Sequence, residues 1–399
     1  MAARNGGALA LMLSTKLYWG MLLVLAAGAL LSPVDSAGGN IFLSLPNLTD
    51  VLRQVSITGI IAVGMTFVIL SGGIDLSVGS VMALGCTLSA MLLTQDGWHR
   101  GAVLGSGATA VVVGAALYAA VSRLLVRGLG GLVANGLGAG LGLLGAAGAL
   151  VWIGPALTGG LDVIPTIALV LCAGLVVGAI NGVVVAAAGL QPFIATLATM
   201  VAVLGAARLT AGAEQSVYPI YTGANAPAAF ELLRASVLGV PVPGLIFLAV
   251  VAAAWLALTH FRFGREVYAI GGNEHAARLA GLAVGRIKVA VYALSGMLAA
   301  LAGVLYAAQY RQGKPDAGVG LELDAIAAVV IGGASLAGGK GSVLGALAGV
   351  LIFGLLTNIF QLCNIDSNAQ LVLKGAIIVA AVALQQGRLP KLRIPGGSK

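Results

Sequence analysis

The sequence predicts an all-α, polytopic transmembrane helical bundle, on three observations. The first is charge. Only 9% of the residues are charged and 59% are hydrophobic, where a soluble domain carries roughly 25% charged residues. Too little polarity is left to clothe a water-facing surface. The second is segment length. Apolar stretches of about 20 residues, the length of one membrane span, recur from end to end. Runs such as 245–258 are continuously apolar, which is unlike the alternation of a β-barrel strand. Helices remain, because lipid offers backbone groups no outside partner. The third is glycine. Its 60 copies suit membrane helices whose backbones approach closely. They follow no Gly-X-Y period and the chain is not polar, so collagen and disorder are excluded.

Twelve apolar segments lie near residues 11–32, 53–71, 76–95, 101–122, 129–153, 163–188, 193–211, 241–260, 287–309, 323–337, 342–363 and 368–387. The expectation is a single domain over 1–399 with about ten to twelve spans. The first segment follows Arg4 and Lys16, as in a signal peptide. No small-residue cleavage site follows it and further spans do, so it is expected to stay as an uncleaved helix. Basic residues set the orientation. They gather in the loop 261–288 (Arg262, Arg265, Arg278, Arg286, Lys288), in the tail 388–399 (Arg388, Lys391, Arg393, Lys399), at the N-terminus, and at Arg123 and Arg127. Twelve crossings put all four groups on one side, expected to be cytoplasmic with both termini. The other side receives the loop 212–240, with Glu214, Glu231 and Arg234, and then Arg311, Lys314, Asp316 and Glu322.

Several function classes drop out. Cys86, Cys172 and Cys363 are scattered in or beside apolar stretches with no metal or disulfide spacing. The net charge of +8 is too dispersed for nucleic acid and fits basic cytoplasmic loops. His99, His260 and His275 fall at loops or helix ends. Lys340 does not sit in a phosphate loop, because Ala334 and Gly341 stand where Gly and Ser or Thr are required. No nucleophile–base or metal-ligand constellation is present, so no catalytic residue, metal or bound cofactor is expected.

Two places interrupt the apolar pattern. One is Ser71-Gly72-Gly73-Ile74-Asp75-Leu76-Ser77-Val78-Gly79. Consecutive glycines weaken a helix by about 1 kcal/mol each, and Asp75 sits where an N-cap would restart one. A carboxylate this deep should face protein or water rather than lipid. The other is residues 332–342, with Gly332, Gly333, Ser335, Gly338, Gly339 and Gly341. The two echo each other at one offset: Gly72, Gly73, Leu76, Gly79, Leu84 and Gly85 match Gly332, Gly333, Leu336, Gly339, Leu344 and Gly345, with Ser335 opposite Asp75. Paired glycine-interrupted segments point to a pathway near the membrane midplane. The same features also serve close packing and capping, and both readings stand.

The basic loop contains a second signal. Asn273 is a good N-cap, Ala276, Ala277, Leu279 and Ala280 give a short apolar face, and Gly281 is a plausible stop. Such a helix packs on the bilayer interface or on a partner protein.

With these residues in view, the chain resembles the ribose-type, monosaccharide branch of permease subunits of bacterial ATP-binding-cassette importers. Four blocks in the family's order carry the resemblance: residues 57–67 running into the first break; Asn181-Gly182 with residues 191–200; residues 269–281; and residues 322–345. The resemblance implies a dimer in the inner membrane with a second copy. Two ATPase domains on a separate chain, holding ATP and Mg, would dock on it, and a periplasmic sugar-binding protein would deliver substrate. It also resolves the open choice at the basic loop toward a protein partner. Gly271, Gly272, Asn273, Glu274, Ala277, Arg278 and Gly281 then stand as ATPase contacts. The loops at 212–240 and 311–322 would receive the binding protein. Ser71, Gly72, Gly73, Asp75, Ser77, Asn181, Phe193, Thr196, Thr199, Gly332, Gly333 and Ser335 are the expected pathway residues, since neutral sugars need hydrogen-bonding groups. Asn358 is of the same chemical kind. Between Thr94 and Gly178 the chain has room for two spans more than the family, around 104–153.

Two other classes compete. An ATPase-independent transporter or channel would want intramembrane charge relays, for which Asp75 and Lys374 are the main material. A receptor or assembly role would want a sizeable soluble domain, which the chain lacks.

Overall fold

The structure, a computed structural model, describes residues 20–94, 162–211 and 217–385. In chain order these form α1 (Gly20–Leu31), α2 (Leu45–Leu70), α3 (Val78–Leu93), α4 (Val163–Ala187) and α5 (Pro192–Ala211). Then come β1 (Tyr218–Pro219), a 3₁₀ turn (Ala228–Arg234), β2 (Ser236–Val237), β3 (Val240–Pro241), α6 (Val242–Thr259), α7 (Arg262–Gly272) and α8 (Glu274–Leu279). The rest is α9 (Val284–Tyr310), β4 (Gln312–Gly313), α10 (Leu321–Ile331), α11 (Val343–Leu362) and α12 (Ser367–Gln385). Six of the described helices, α2, α4, α5, α6, α9 and α11, are long and apolar enough to cross a membrane. The helical membrane bundle is therefore the fold class. The segments expected at 101–122 and 129–153, the extra spans around 104–153 and the tail 388–399 lie outside the described residues.

Local chemistry sets the helix starts. Ser44 caps α2 through Asn47 N, with Pro46 in the first turn, and Ser342 caps α11 through Gly345 N. Asp162 accepts from Val163 N at the start of α4. Each cap satisfies a backbone donor that a helix end leaves free.

The hub is α9, 27 residues long and about 40 Å at 1.5 Å per residue. It runs antiparallel to α4. Gly174, Gly178 and Gly182, spaced by four, face the backbone of Gly296, Tyr292 and Val289 in turn, and a Cβ at any of the three would overlap α9. This is small-residue packing of the kind membrane helices use. Gly303 of α9 lies equally close to the backbone of Met82, Gly85 and Cys86 on α3.

Polar residues mark the two ends. At one, α7, α8 and the first turn of α9 gather Arg262, Arg265, Arg278, Arg286 and Lys288. At the other, β1 pairs antiparallel with β4, Arg311 and Arg234 both reach Glu231, and Arg208 reaches Asp316. The two loops expected on a common side are therefore joined there.

Two expectations need correction. The segment expected at 323–337 is an 11-residue helix ending at Ile331; at about 16 Å it cannot cross a bilayer alone. Glu322, expected in a loop, stands in the first turn of α10, tucked against Gly79 of α3. Residues 314–320 form turns that carry the chain inward before α10 begins.

Candidate functional site: a glycine junction and a buried carboxylate

Both breaks begin with the same helix stop. At the end of α2, Gly73 N bonds Val68 O and Gly72 has φ +81°. At the end of α10, Ala334 N bonds Val329 O and Gly333 has φ +90°. This is the glycine-terminated Schellman arrangement, in which glycine enters the left-handed region without a Cβ penalty. The helix ends are thus offset by 261 residues. The two capping contacts keep the offset of 260: Asp75 Oδ1 accepts from Ser77 N at 3.0 Å, and Ser335 Oγ from Ala337 N at 3.3 Å. Asp75, expected as the N-cap of the new helix, instead closes the turn before it: the N-cap of α3 is Ser77, whose side chain makes no cap bond. After that the echo ends, since α3 starts at Val78 while the second chain continues to Ser342 before α11 starts.

Asp75 is fully buried. Its Oδ1 also accepts from Ser77 Oγ at 2.6 Å, and its Oδ2 from Ser295 Oγ on α9 at 2.9 Å. Asn181 Nδ2 of α4 donates to Ser77 Oγ at 2.8 Å. Thr196 of α5 receives a bond from Leu76 N at 3.1 Å and donates to the Ile74 carbonyl at 3.2 Å. Residues of α4, α5 and α9 thus gather around one turn whose carboxylate accepts from a backbone N–H and two hydroxyls. Asn181 Oδ1 and the Tyr292 hydroxyl, which crowds Gly73, lie buried without a hydrogen-bond partner among the described residues.

The expected pathway residues separate into groups. Asp75, Ser77, Asn181 and Thr196 share this cluster. Ser71 is buried and bonds back to Val68 O. Gly332 lies against the Gly345 carbonyl, with Gly333 and Ser335 in the second break. Phe193 is half exposed on α5, and Thr199 stands one turn beyond Thr196, its side chain without a hydrogen bond among the described residues. Ser295 and Tyr292 were not singled out from the sequence. Nothing around them interrupts the apolar pattern, and only the fold brings α9 to Asp75.

The basic connection is two helices. Asn273 Oδ1 accepts from Ala276 N at 2.9 Å, and Gly281, φ +82°, ends α8 with Leu282 N bonded to Ala277 O. The cap and the stop stand where the sequence placed them. Glu274 reaches Lys288 at 2.7 Å and Arg278 at 3.0 Å, tying α8 to α9. Burial alone would raise the Glu274 pKa; the bond and charge of Lys288, with Arg278 beside it, outweigh burial and hold the carboxyl below its ordinary 4.5. Ala277 faces inward while Leu279 is 77% exposed, so the apolar face is split.

The decisive geometry is where α7 ends. Gly271 sits between Leu70 O of α2 and Gly339 N, which themselves bond at 3.0 Å, and a Cβ on Gly271 would overlap Leu70 O. A Cβ on Gly338 would meet Gly271 O at 2.7 Å and Gly72 Cα at 2.9 Å. Tyr268 of α7 donates to Gly341 O at 2.9 Å. Both breaks therefore meet the end of α7 at the basic end. From this meeting point the stretch from Gly73 to Ser77 leads to the buried Asp75 cluster.

A model of the branched-chain amino acid transport system / permease component family matches residues 47–130 and 128–382. The chain belongs to that family. It is 38% identical over 343 residues to the ribose import permease protein of Haemophilus influenzae, covering 86% of this chain and 85% of that one. Against the ribose import permease protein of Escherichia coli K12 it is 37% identical over 363 residues, 90% of this chain and 91% of the relative. The xylose transport system permease protein of the same organism is 36% identical over 354 residues, 86% and 85% of the two chains. No solved structure matches.

Proposed function

We propose that this chain is the membrane permease subunit of an ATP-driven importer of a monosaccharide, ribose or a related pentose or hexose. It works beside a second copy in the bacterial inner membrane, with both termini cytoplasmic. A separate ATPase chain, carrying ATP and Mg, docks on α7 and α8 through Gly272, Asn273, Glu274, Arg278 and Gly281, while Gly271 and Ala277, expected among the contacts, pack inward. A periplasmic binding protein docks at the opposite end, where β1 and β4 join the loops.

One observation carries this reading: the basic connection, through Gly271 near the end of α7, touches both glycine breaks at once. A push on α8 from outside the bilayer reaches the end of α2 and the loop before α11 together. That gives a partner a way to bias two arrangements of the bundle. The residues of the first break then lead to the Asp75 cluster, and Phe193, Thr196, Thr199, Gly332, Gly333 and Ser335 border the helices that would move. The relatives' names, ribose and xylose permeases, support the sugar class. An ATPase-independent relay is less favoured, because Asp75 bonds to serines and Lys374 bonds to Asp324, and no hydrogen bond joins the two groups among the described residues.

The test is reconstitution in liposomes with the cognate ATPase and binding protein. Uptake should require ATP and ignore a proton ionophore. The double variant Glu274→Ala/Arg278→Ala should lose most binding-protein-stimulated ATPase activity. Unchanged stimulation would remove the docking assignment, and uptake by the chain alone driven by a proton gradient would favour the secondary transporter.

A further inference from the structure

At the basic end the chain turns sharply from α6 into α7. Gly264 of α7 packs on the Leu258 backbone of α6, and a Cβ there would overlap it. That contact holds the first turn of α7 beside the last turn of α6. Leu245, Leu248, Trp255 and Leu256 of α6 are each 39–46% exposed, and their spacing puts them on one side of the helix. Since α6 is long and apolar enough to cross a membrane, this stripe meets acyl chains.

Beyond the stripe the chemistry changes. Phe261 is 61% exposed. Arg262 and Arg265, three residues apart and so neighbours on one face, are exposed on α7, whose inward face is Gly264, Val267 and Ile270. Neither arginine makes an ion pair among the described residues. Glu266 follows Arg262 by four residues, the less favourable order for such a pair, and the pair is not formed. Thr259 Oγ1 donates to the Trp255 carbonyl at 2.6 Å and lies 2.7 Å from His260 Nδ1. A hydroxyl has one hydrogen, so His260 donates through Nδ1–H and its exposed Nε2 is left for an outside partner. The His260 ring stands edge-on to Trp255 at 5.4 Å.

We infer that this elbow binds the headgroup of an anionic phospholipid. Its phosphate lies on Arg262 and Arg265 with His260 Nε2 beside it, and its acyl chains follow the outer stripe of α6. Guanidinium forks match phosphate oxygens, and exposed aromatic rings sit at headgroup level. A neutral lipid would leave the arginines without a counter-charge. A soluble protein could meet the arginines but not the stripe that continues from them into the acyl region. The site goes beyond the importer reading and does not depend on it. It lies nine residues, about 14 Å along α7, from Gly271, so a bound lipid restrains the helix whose far end meets both glycine breaks.

The test uses the full chain in nanodiscs with Trp19, Trp98 and Trp152 replaced by Phe, which leaves Trp255 as the reporter. Its fluorescence is quenched with brominated phosphatidylglycerol or brominated phosphatidylcholine at equal mole fraction. Phosphatidylglycerol should bind with roughly tenfold higher apparent affinity. Arg262→Gln/Arg265→Gln should lower it to the phosphatidylcholine value, and unchanged quenching by phosphatidylcholine shows that the variant is folded. Arg262→Lys/Arg265→Lys should keep most of the preference. Equal quenching by both lipids with the arginines in place, or a preference that survives the Gln pair, would overturn the site. Loss of the preference on adding the cognate ATPase chain would give the arginines to that partner and overturn it as well. If the chain with one tryptophan does not fold, native mass spectrometry of the chain with all four makes the same comparison. Phosphatidylglycerol should stay bound to it and be lost from the Gln pair; equal retention by both would overturn the site.

Discussion

The break at residues 71–77 and the break at residues 332–342 stop a helix in the same way and then do different things. The first turns inward and buries a carboxylate under three donors from its own turn and from α9. The second stays at the basic end, carries Ser335 in place of the carboxylate, and spends its glycines on contact with α7 and α11. One break is a polar anchor and the other a hinge surface. A common helix-stop chemistry thus supports an asymmetric device, in which α7 can displace the second break while the first holds its helices together.

Substitutions can break this contrast. Within the second break the larger effect is expected at Gly332, where a Cβ would overlap the Gly345 backbone oxygen and force α10 from α11. Gly332→Ala should cost about 2–3 kcal/mol. Gly333→Ala meets nothing within 4 Å, so it bears only the strain of its φ of +90°, about 1 kcal/mol. The apparent melting temperature of the purified protein in detergent ranks the two. Equal losses would contradict the packing described for the second break.

Asp75 gives the next effect. Asp75→Leu orphans the Ser77 N–H, at about 1–3 kcal/mol for a buried donor. Asp75→Asn keeps one acceptor for Ser77, and the Ser295 hydroxyl can rotate to accept from the amide, so its cost should be under about 1 kcal/mol. The same melting measurement checks this, with uptake measured in parallel. An Asn variant as damaged as the Leu variant would show that the charge itself is needed, and not only its hydrogen bonds.

The smallest effect concerns pH. Folding lowers the Glu274 pKa through Lys288 and Arg278. Its contribution is then complete above 4.5 and is lost as pH falls below 4.5 through the folded value. Hydrogen exchange of residues 273–282 should stay constant from pH 7 to 5, once corrected for intrinsic rates, and rise below that. Glu274→Gln should remove the step.

Much of the fold was legible because lipid leaves few choices. The described helices follow the apolar segments to within a few residues at 163–187, 192–211, 242–259 and 343–362. The cap at Asn273 and the stop at Gly281 were readable because capping is local chemistry. What was not readable depends on partners. The four-residue spacing of Gly174, Gly178 and Gly182 is visible in the sequence, but in so glycine-rich a chain it does not name α9 as its partner. The short α10 was hidden because the apolar run continues past the glycine pair at 332–333 to Ala337, although the bond from Ala334 N to Val329 O, with Gly333 at φ +90°, ends the helix at Ile331. Asp324 and Lys374 are separated by 50 residues and meet only across helices. The meeting of both breaks at Gly271 follows from three separate chain segments, none of which carries a sign of the others.

That meeting point is also where the account is most exposed. Gly271→Ala places a methyl group against Leu70 O and Gly339 N without touching any charged or capping residue. The measurement is sugar taken up per ATP hydrolysed in proteoliposomes, on complexes first shown to co-purify with the ATPase. The account predicts that the ATPase still docks and turns over while uptake per ATP falls several-fold or is lost. Wild-type uptake per ATP in the Gly271→Ala complex would contradict it.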